Sequence, residues 1–187
     1  MELVVHPLSP ERWHALEDLF GRGGASNGCW CMYWVLGPGY RKRPRDENRD
    51  ALRALSAREP PPGLLAFDGD LAVGWCRLTP RADQPWLEHR FAAPVDDLPV
   101  WSLSCFYIRR RYRGHGVASA LIEAALRAAK RANAPAVEAY PVDTTVPKAT
   151  TNLFTGTAAM FEQAGFRTVA RRTPSRPIMR HDLRSIS

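Results

Sequence analysis

The chain has 187 residues, 45% hydrophobic and 24% charged, a size that suits one domain and a composition too apolar for a disordered chain. No run reaches the about 18 apolar residues of a membrane span, and Met1-Glu-Leu-Val-Val-His-Pro7 lacks the basic and apolar regions of a secretory signal. The formal net charge is +7 and 23 of the 26 cations are Arg, whose planar fork suits phosphate; an anionic ligand and a merely solvated, Arg-rich surface explain this equally well.

In chain order, Leu3 to Leu8 reads as a strand. Ser9-Pro10-Glu11 supplies an N-cap, a proline at the first helical position and an acidic first turn. The helix that follows is expected to reach Phe20, with Trp13, Leu16, Leu19 and Phe20 on one face and Gly21 as its stop. A glycine-rich loop leads to Gly28-Cys-Trp-Cys-Met-Tyr-Trp34, and a second helix is expected over Arg45 to Arg58, ended by Pro60-Pro61-Pro62. Leu64–Phe67 and Leu71–Leu78 flank Asp68-Gly69-Asp70 as a hairpin. Thr79 to Asp97 reads as a long irregular connection of the kind that carries function.

Pro99–Ile108 is a strand and Gly114–Ala132 a helix, with Val117, Leu121, Ile122, Ala125, Leu126 and Ala129 at helical spacing. Ala136–Tyr140 follows as a strand, Thr157–Ala164 as a helix closed by Gly165, and Phe166–Arg171 and Arg176–Leu183 as two last strands. A helix between two strands implies a right-handed parallel unit, and the hairpins supply antiparallel neighbours. The expected fold is a mixed α/β sheet in one domain over residues 1–187.

The sharpest motif lies between the strand ending at Ile108 and the helix after it: Arg109-Arg-Arg-Tyr-Arg-Gly-His-Gly-Val-Ala-Ser119. Glycines at such a turn let a ligand approach the backbone. The helix start then presents unpaired N–H groups and the positive dipole end, which suit a pyrophosphate. A dinucleotide fingerprint fails because Gly114-x-Gly116 has no third glycine, and a phosphate-cradling P-loop fails for want of its lysine. What remains is R-x-x-G-x-[GA], which fits as Arg111-x-x-Gly114-x-Gly116 and as Arg113-x-x-Gly116-x-Ala118.

Tyr112-Arg-Gly-His-Gly-Val-Ala-Ser-Ala-Leu121 resembles the acetyl-CoA pyrophosphate motif of the GNAT superfamily of N-acetyltransferases, in the expected strand–helix setting. The resemblance implies a mostly antiparallel sheet with a central parallel βαβ unit and helices on both faces. It also implies acetyl-CoA as cosubstrate, with backbone groups of Phe106, Tyr107 and Ile108 meeting the pantetheine arm. Amides of Arg113, Gly114, His115, Gly116, Val117, Ala118 and Ser119 would meet the pyrophosphate. Family members often carry Tyr-x-x-x-Gly-Phe after the fifth strand, the tyrosine protonating the departing CoA thiolate; here the stretch is Phe161-Glu-Gln-Ala-Gly165-Phe166. Phe161 has no proton to give and is expected to pack against the cofactor.

The expected reaction is therefore direct acetyl transfer to a primary amine, the alternative being a CoA-binding module without turnover. Glu88, with His89 beside it, and Glu138 are candidates for a base, and Tyr140 for the acid that Phe161 cannot be. Each of these also has an ordinary structural reading. Trp30, Tyr33 and Trp34 are expected to border the acceptor pocket. Cys105, just before the expected acetyl position, and Cys29 and Cys31 read as packing residues, and the four cysteines of the chain form no disulfide framework and no zinc knuckle. The expected setting is reduced and cytoplasmic, without metal, membrane or nucleic acid, since the basic residues are scattered and lack stacking aromatics. The terminal strands offer an edge for a homodimer.

Overall fold

The computed structural model describes residues 2–91, 93–149 and 153–184. Strand β1 (Leu3–Pro7) leads through a 3-10 turn at Pro10–Arg12 into helix α1 (Trp13–Phe20), so the expected helix is split by its own proline-led first turn. Trp13, Leu16, Leu19 and Phe20 are its buried face, and Gly21, with φ of 60°, closes it by returning its N–H to Glu17 O. A short helix α2 (Tyr33–Leu36), a 3-10 stretch Gly37–Lys42 and helix α3 (Arg45–Leu55) follow. Helix α3 ends three residues short of the expected Arg58, where the Ser56 hydroxyl donates to Arg53 O.

The hairpin forms as β2 (Gly63–Asp68) and β3 (Leu71–Pro80), and β4 (Trp101–Ile108) pairs antiparallel with β3. Helix α5 (Val117–Arg131) carries the chain across to β5 (Ala136–Ala139), parallel to β4. Helix α6 (Ala158–Gln163) is capped by Thr157, whose hydroxyl oxygen accepts from Met160 N. Strands β6 (Arg167–Thr173) and β7 (Arg176–Asp182) complete a sheet ordered β1-β2-β3-β4-β5-β7-β6, antiparallel at every pairing except β4–β5.

The strands alternate two apolar sets across this sheet. Leu64, Ala66, Val73, Leu103 and Phe106 face α5 and α6, while Leu65, Ala72 and Trp75 face α1 and the loop after it. Each large apolar side chain buried in this way contributes about 1.5–3 kcal/mol. Gly74 marks the closest approach of α5, since a Cβ there would stand 2.5 Å from Val117 Cγ1.

Thr79–Asp97 is more ordered than its composition suggests. It extends β3 to Pro80 and adds a 3-10 turn at Arg81–Asp83 and helix α4 (Trp86–Phe91). The reason is tertiary: Leu87 and Phe91, one turn apart, are buried with Trp34, Tyr140 and Ile178. Ion pairs pin the segment to the sheet. Arg81 Nη1 donates to Glu138 Oε2 at 3.1 Å, and Arg180 bridges Glu138 Oε1 and both oxygens of Asp96.

The Arg180 hydrogen bond holds the Asp96 carboxyl below the usual carboxylate range, against a smaller opposing effect of burial. A depressed carboxyl stabilises the fold above its unfolded pKa, and that contribution is lost as pH falls through the folded value. Asp96→Asn is therefore expected to flatten the fall in stability below about pH 4. Urea midpoints measured across that range check this, and parallel acid limbs in the two proteins would refute it.

Candidate active site

Strands β4 and β5 pair only over Trp101–Leu103 with Val137–Ala139. Beyond Leu103 the register of β4 against β3 shifts, leaving Ser104 as an extra residue opposite the Arg77–Leu78 step. This bulge re-aims the strand. Phe106, Tyr107 and Ile108 keep β3 on one side and, among the described residues, have no strand partner on the other. An extended backbone with one open edge is what an amide-bearing arm can pair with.

The strand runs directly into the arginine–glycine turn. Gly114 and Gly116 have φ of 77° and 79°, a left-handed backbone that side chains disfavour, and Gly116 caps α5. A Cβ on either would meet no protein atom within 4 Å, so the turn is open toward solvent. Residues 113–116 and Ser119 are exposed and Val117 is buried, and the first-turn amides of a helix have no acceptor within it. Arg113 Nε donates to Ile108 O at 3.1 Å, which folds the turn back on the strand end. Arg109 is engaged elsewhere, with Asp18 at 2.6 Å and Ala72 O at 3.2 Å.

On the α1 side of the same strand lies a cavity of about 540 Å³. Its wall joins Cys105, Phe106 and Tyr107 of β4 to Tyr33 and Trp34 of α2, Phe20, Tyr40, Phe91 and Phe154. Trp34 Nε1 donates to Ser104 O at 3.0 Å, fixing the indole against the bulge. Three arginines, Arg41, Arg90 and Arg176, also line the cavity, and no aspartate, glutamate or histidine does so among the described residues. Burial lowers the Arg176 pKa, and the nearby charge of Arg90 lowers it further. Cys29, Cys31 and Cys105 all reach the wall.

Tyr33 and Trp34 line this cavity, and Trp30 does not. Trp30 is buried behind the wall, 6.0 Å from Trp13 in a stacked pair and 5.6 Å from Phe20. Phe161 is fully buried, its ring edge-on to Phe106 and Phe166, and it holds α6 on the sheet rather than facing the cavity. Tyr140 is also fully buried. Its hydroxyl lies 3.1 Å from both Glu138 Oε2 and Ser102 Oγ, and its ring stacks on Phe91 at 4.8 Å. Burial, then the charge of Glu138, raises its pKa, and Tyr140 is not among the residues that line the cavity.

Glu88 is exposed on α4, outside the cavity lining, because its helix turns Leu87 and Phe91 inward instead. His89 is exposed too, stacked on Trp86. Glu138 is consumed by two arginines. Sequence reasoning passed over Arg77, a cation in the otherwise apolar run Leu71–Leu78, although an unpaired charge in such a run is itself a signal. Arg90 carries no sequence signal of its own, and it is brought near Arg176 of the Arg176-Pro-Ile-Met-Arg180 stretch only through the fold.

Among the described residues no helix is long and apolar enough to cross a membrane, and no cluster of His, Cys, Asp or Glu is arranged to hold a metal ion. Comparison with curated proteins returns no match. Among solved structures, the PaiA N-acetyltransferase from Thermoplasma acidophilum in complex with coenzyme A is 14% identical with a TM-score of 0.59, covering 97% of this chain and 99% of that one. An acetyltransferase crystal structure is 19% identical with a TM-score of 0.61, covering 97% and 100%. YncA from Salmonella typhimurium with its cofactor acetyl-CoA is 12% identical with a TM-score of 0.55, covering 97% and 94%. These likenesses show the fold, and the sequence profile of the acetyltransferase (GNAT) family matches residues 27–166. The chain belongs to the GNAT acetyltransferase family.

Proposed function

We propose that the protein transfers the acetyl group of acetyl-CoA directly to a primary amine on an apolar or aromatic body that also bears an anionic group. The observation that carries this reading is the junction of three features on one strand: the open edge of β4, the glycine turn at its end and the aromatic cavity on its flank. The open edge at Phe106, Tyr107 and Ile108 fits an amide-bearing pantetheine arm. The amides of Arg113 to Ser119, at the turn and the start of α5, fit a pyrophosphate.

Bound there, acetyl-CoA supplies an acyl group on a thiol leaving group whose free pKa is about 8.5, so departure does not demand a tyrosine acid. Phe106 N–H, beside the bulge, is a preorganised donor for charge developing on the acyl oxygen. The aromatic wall suits an apolar acceptor body. The arginines at the wall, with no carboxylate among them, suit an acidic group on the acceptor and disfavour a polycation.

Calorimetric titration with acetyl-CoA and thiol release across a panel of amines test this, each carboxylate-bearing arylalkylamine being paired with its neutral counterpart. Turnover is expected in the acidic members. Arg90→Gln should raise their KM about ten-fold with kcat little changed, the loss of one charge-assisted hydrogen bond. Acetyl-CoA binding without thiol release from any amine would favour the non-catalytic module, which the absence of a hydroxyl at Phe161 also suggests. No binding at millimolar acetyl-CoA would sink both readings.

A further inference from the structure

The thiol cluster on the cavity wall is not used by the reading above. Cys31 lies in the loop before α2, its Sγ accepting from Trp75 Nε1 at 3.3 Å. Cys105 of β4 lies beside the same sulfur. Arg77 of β3 is 1% exposed and its Nη1 donates to Cys31 O at 3.0 Å. Its Nε is buried without a hydrogen-bond partner, and among the described residues no carboxylate comes within ion-pair distance of it. Glu59 and Asp83 border a second hollow together with Arg77 and still do not pair with it.

A buried guanidinium without a counter-charge is costly, and the anion best placed to compensate it is a sulfur at Cys31. The backbone supports this placement. Trp30 and Cys31 have consecutive φ values of 46° and 56°, a left-handed conformation that non-glycine residues hold only where the surroundings impose it, and such strain gathers at functional sites.

We propose that Cys31 stands as a thiolate against Arg77 and takes the proton from the incoming acceptor amine. The assignment deepens the acetyl-transfer reading and rests on it. The groups nearest the sulfur are Arg77 of β3, Cys105 of β4 and Cys29 of the same loop, with Cys76 on the opposite face of the sheet, while α1 and α3 bring apolar side chains to the surrounding cluster. Burial opposes a charge on Cys31. The Cys105 hydrogen bond, the Arg77 charge and the Trp75 and Arg77 donors together outweigh it and bring the thiol down to about 7.

Cys105 is pushed the other way, first by its hydrogen bond to Cys31 and then by burial, so the pair keeps one proton on Cys105. Cys29 is raised to about 11, chiefly by burial, and stays a thiol. A base poised near the working pH is the efficient kind. No carboxylate or imidazole lines this cavity among the described residues to compete for the task.

The protons balance. The ammonium of the acceptor gives one proton to Cys31, which becomes a thiol. The neutral amine then forms its bond to the acetyl carbon as the carbon–sulfur bond to CoA breaks. The amine nitrogen's second proton goes to the departing CoA sulfur, and Cys31 returns its own to solvent, one proton released per turnover.

Thiolate ultraviolet absorbance, titrated from about pH 5 to about pH 9 on wild type and Cys31→Ser, reads the charge state without any substrate. Their difference should be one thiolate with its midpoint near pH 7. Arg77→Gln should move that midpoint up by a unit or more, and Arg77→Lys should restore most of it. With the best panel amine, Cys31→Ser should lower kcat about 100-fold and remove the inflection near pH 7 from kcat/KM, with acetyl-CoA affinity unchanged.

A difference midpoint above pH 8, or wild-type kcat in a folded Cys31→Ser or Cys31→Ala, overturns the proposal. An acetyl adduct on Cys31 after acetyl-CoA alone, seen by intact mass, overturns the base role in favour of a nucleophile. If no amine turns over while the midpoint still lies near pH 7, the transferase reading has failed and the base role with it, and the thiolate stands by itself.

Discussion

Replacing Glu138 by alanine is expected to lower the folding stability by about 3–5 kcal/mol, one of the largest effects of any single substitution in this chain. Its carboxylate is 1% exposed and accepts hydrogen bonds from Arg81, Arg180 and the Tyr140 hydroxyl. Alanine would strand two guanidinium groups. Arg180 would keep Asp96, but Arg81 would lose its only ion pair among the described residues while already holding Nε and Nη2 without partners.

For a domain of this size each kcal/mol moves the melting temperature by about 2–4 °C, so a fall on the order of 10 °C should appear by calorimetry. Removing the charges together, as Arg81→Met with Glu138→Leu, should recover much of the loss, because the cost lies in the orphaned cation rather than in the missing bond. A loss below about 1 kcal/mol in the single variant would mean that water reaches this network and screens it.

The same residue shows where the sequence was legible and where it was not. The apolar run around Glu138 announced a buried strand, and the strand is there at Ala136–Ala139. A carboxylate inside such a run has two readings, base or counter-ion, and only the position of Arg81 and Arg180, 57 and 42 residues away, decides between them. The arginine–glycine turn was readable because it is local: strand, φ-permissive glycines and helix start are consecutive in the chain. The cavity was not, because its wall is gathered from α1, α2, α4, β4 and the segment near Phe154.

Tyr33 and Trp34 reach the cavity wall from a dense aromatic patch. That patch could not say that Trp30, three residues before Tyr33, turns to the other side and stacks on Trp13. Helix α4 was missed for a related reason. Six residues with two buried positions have no periodicity worth the name, and burial of Leu87 and Phe91 supplies the helix from outside.

Gly116→Val is expected to weaken acetyl-CoA binding by about 100-fold or more, while the fold survives with a modest loss. The two effects separate because of where the missing Cβ would point. Gly116 has φ of 79°, so any side chain there carries the left-handed penalty of about 1–2 kcal/mol. A Cβ at this position meets no protein atom within 4 Å, so nothing inside the molecule resists it. What it occupies instead is the space before the first turn of α5, where the amides would receive a pyrophosphate.

Losing one or two charge-assisted hydrogen bonds at about 1.5–3 kcal/mol each gives the 100-fold figure. Gly116→Ala is the control: it carries the same backbone strain with less volume, so the two variants should melt alike and bind differently. Calorimetric titration and thermal melting on wild type and both variants read this out. Equal acetyl-CoA affinity in Gly116→Val and wild type would show that the phosphates do not sit on this turn, and the open edge of β4 would then need another ligand.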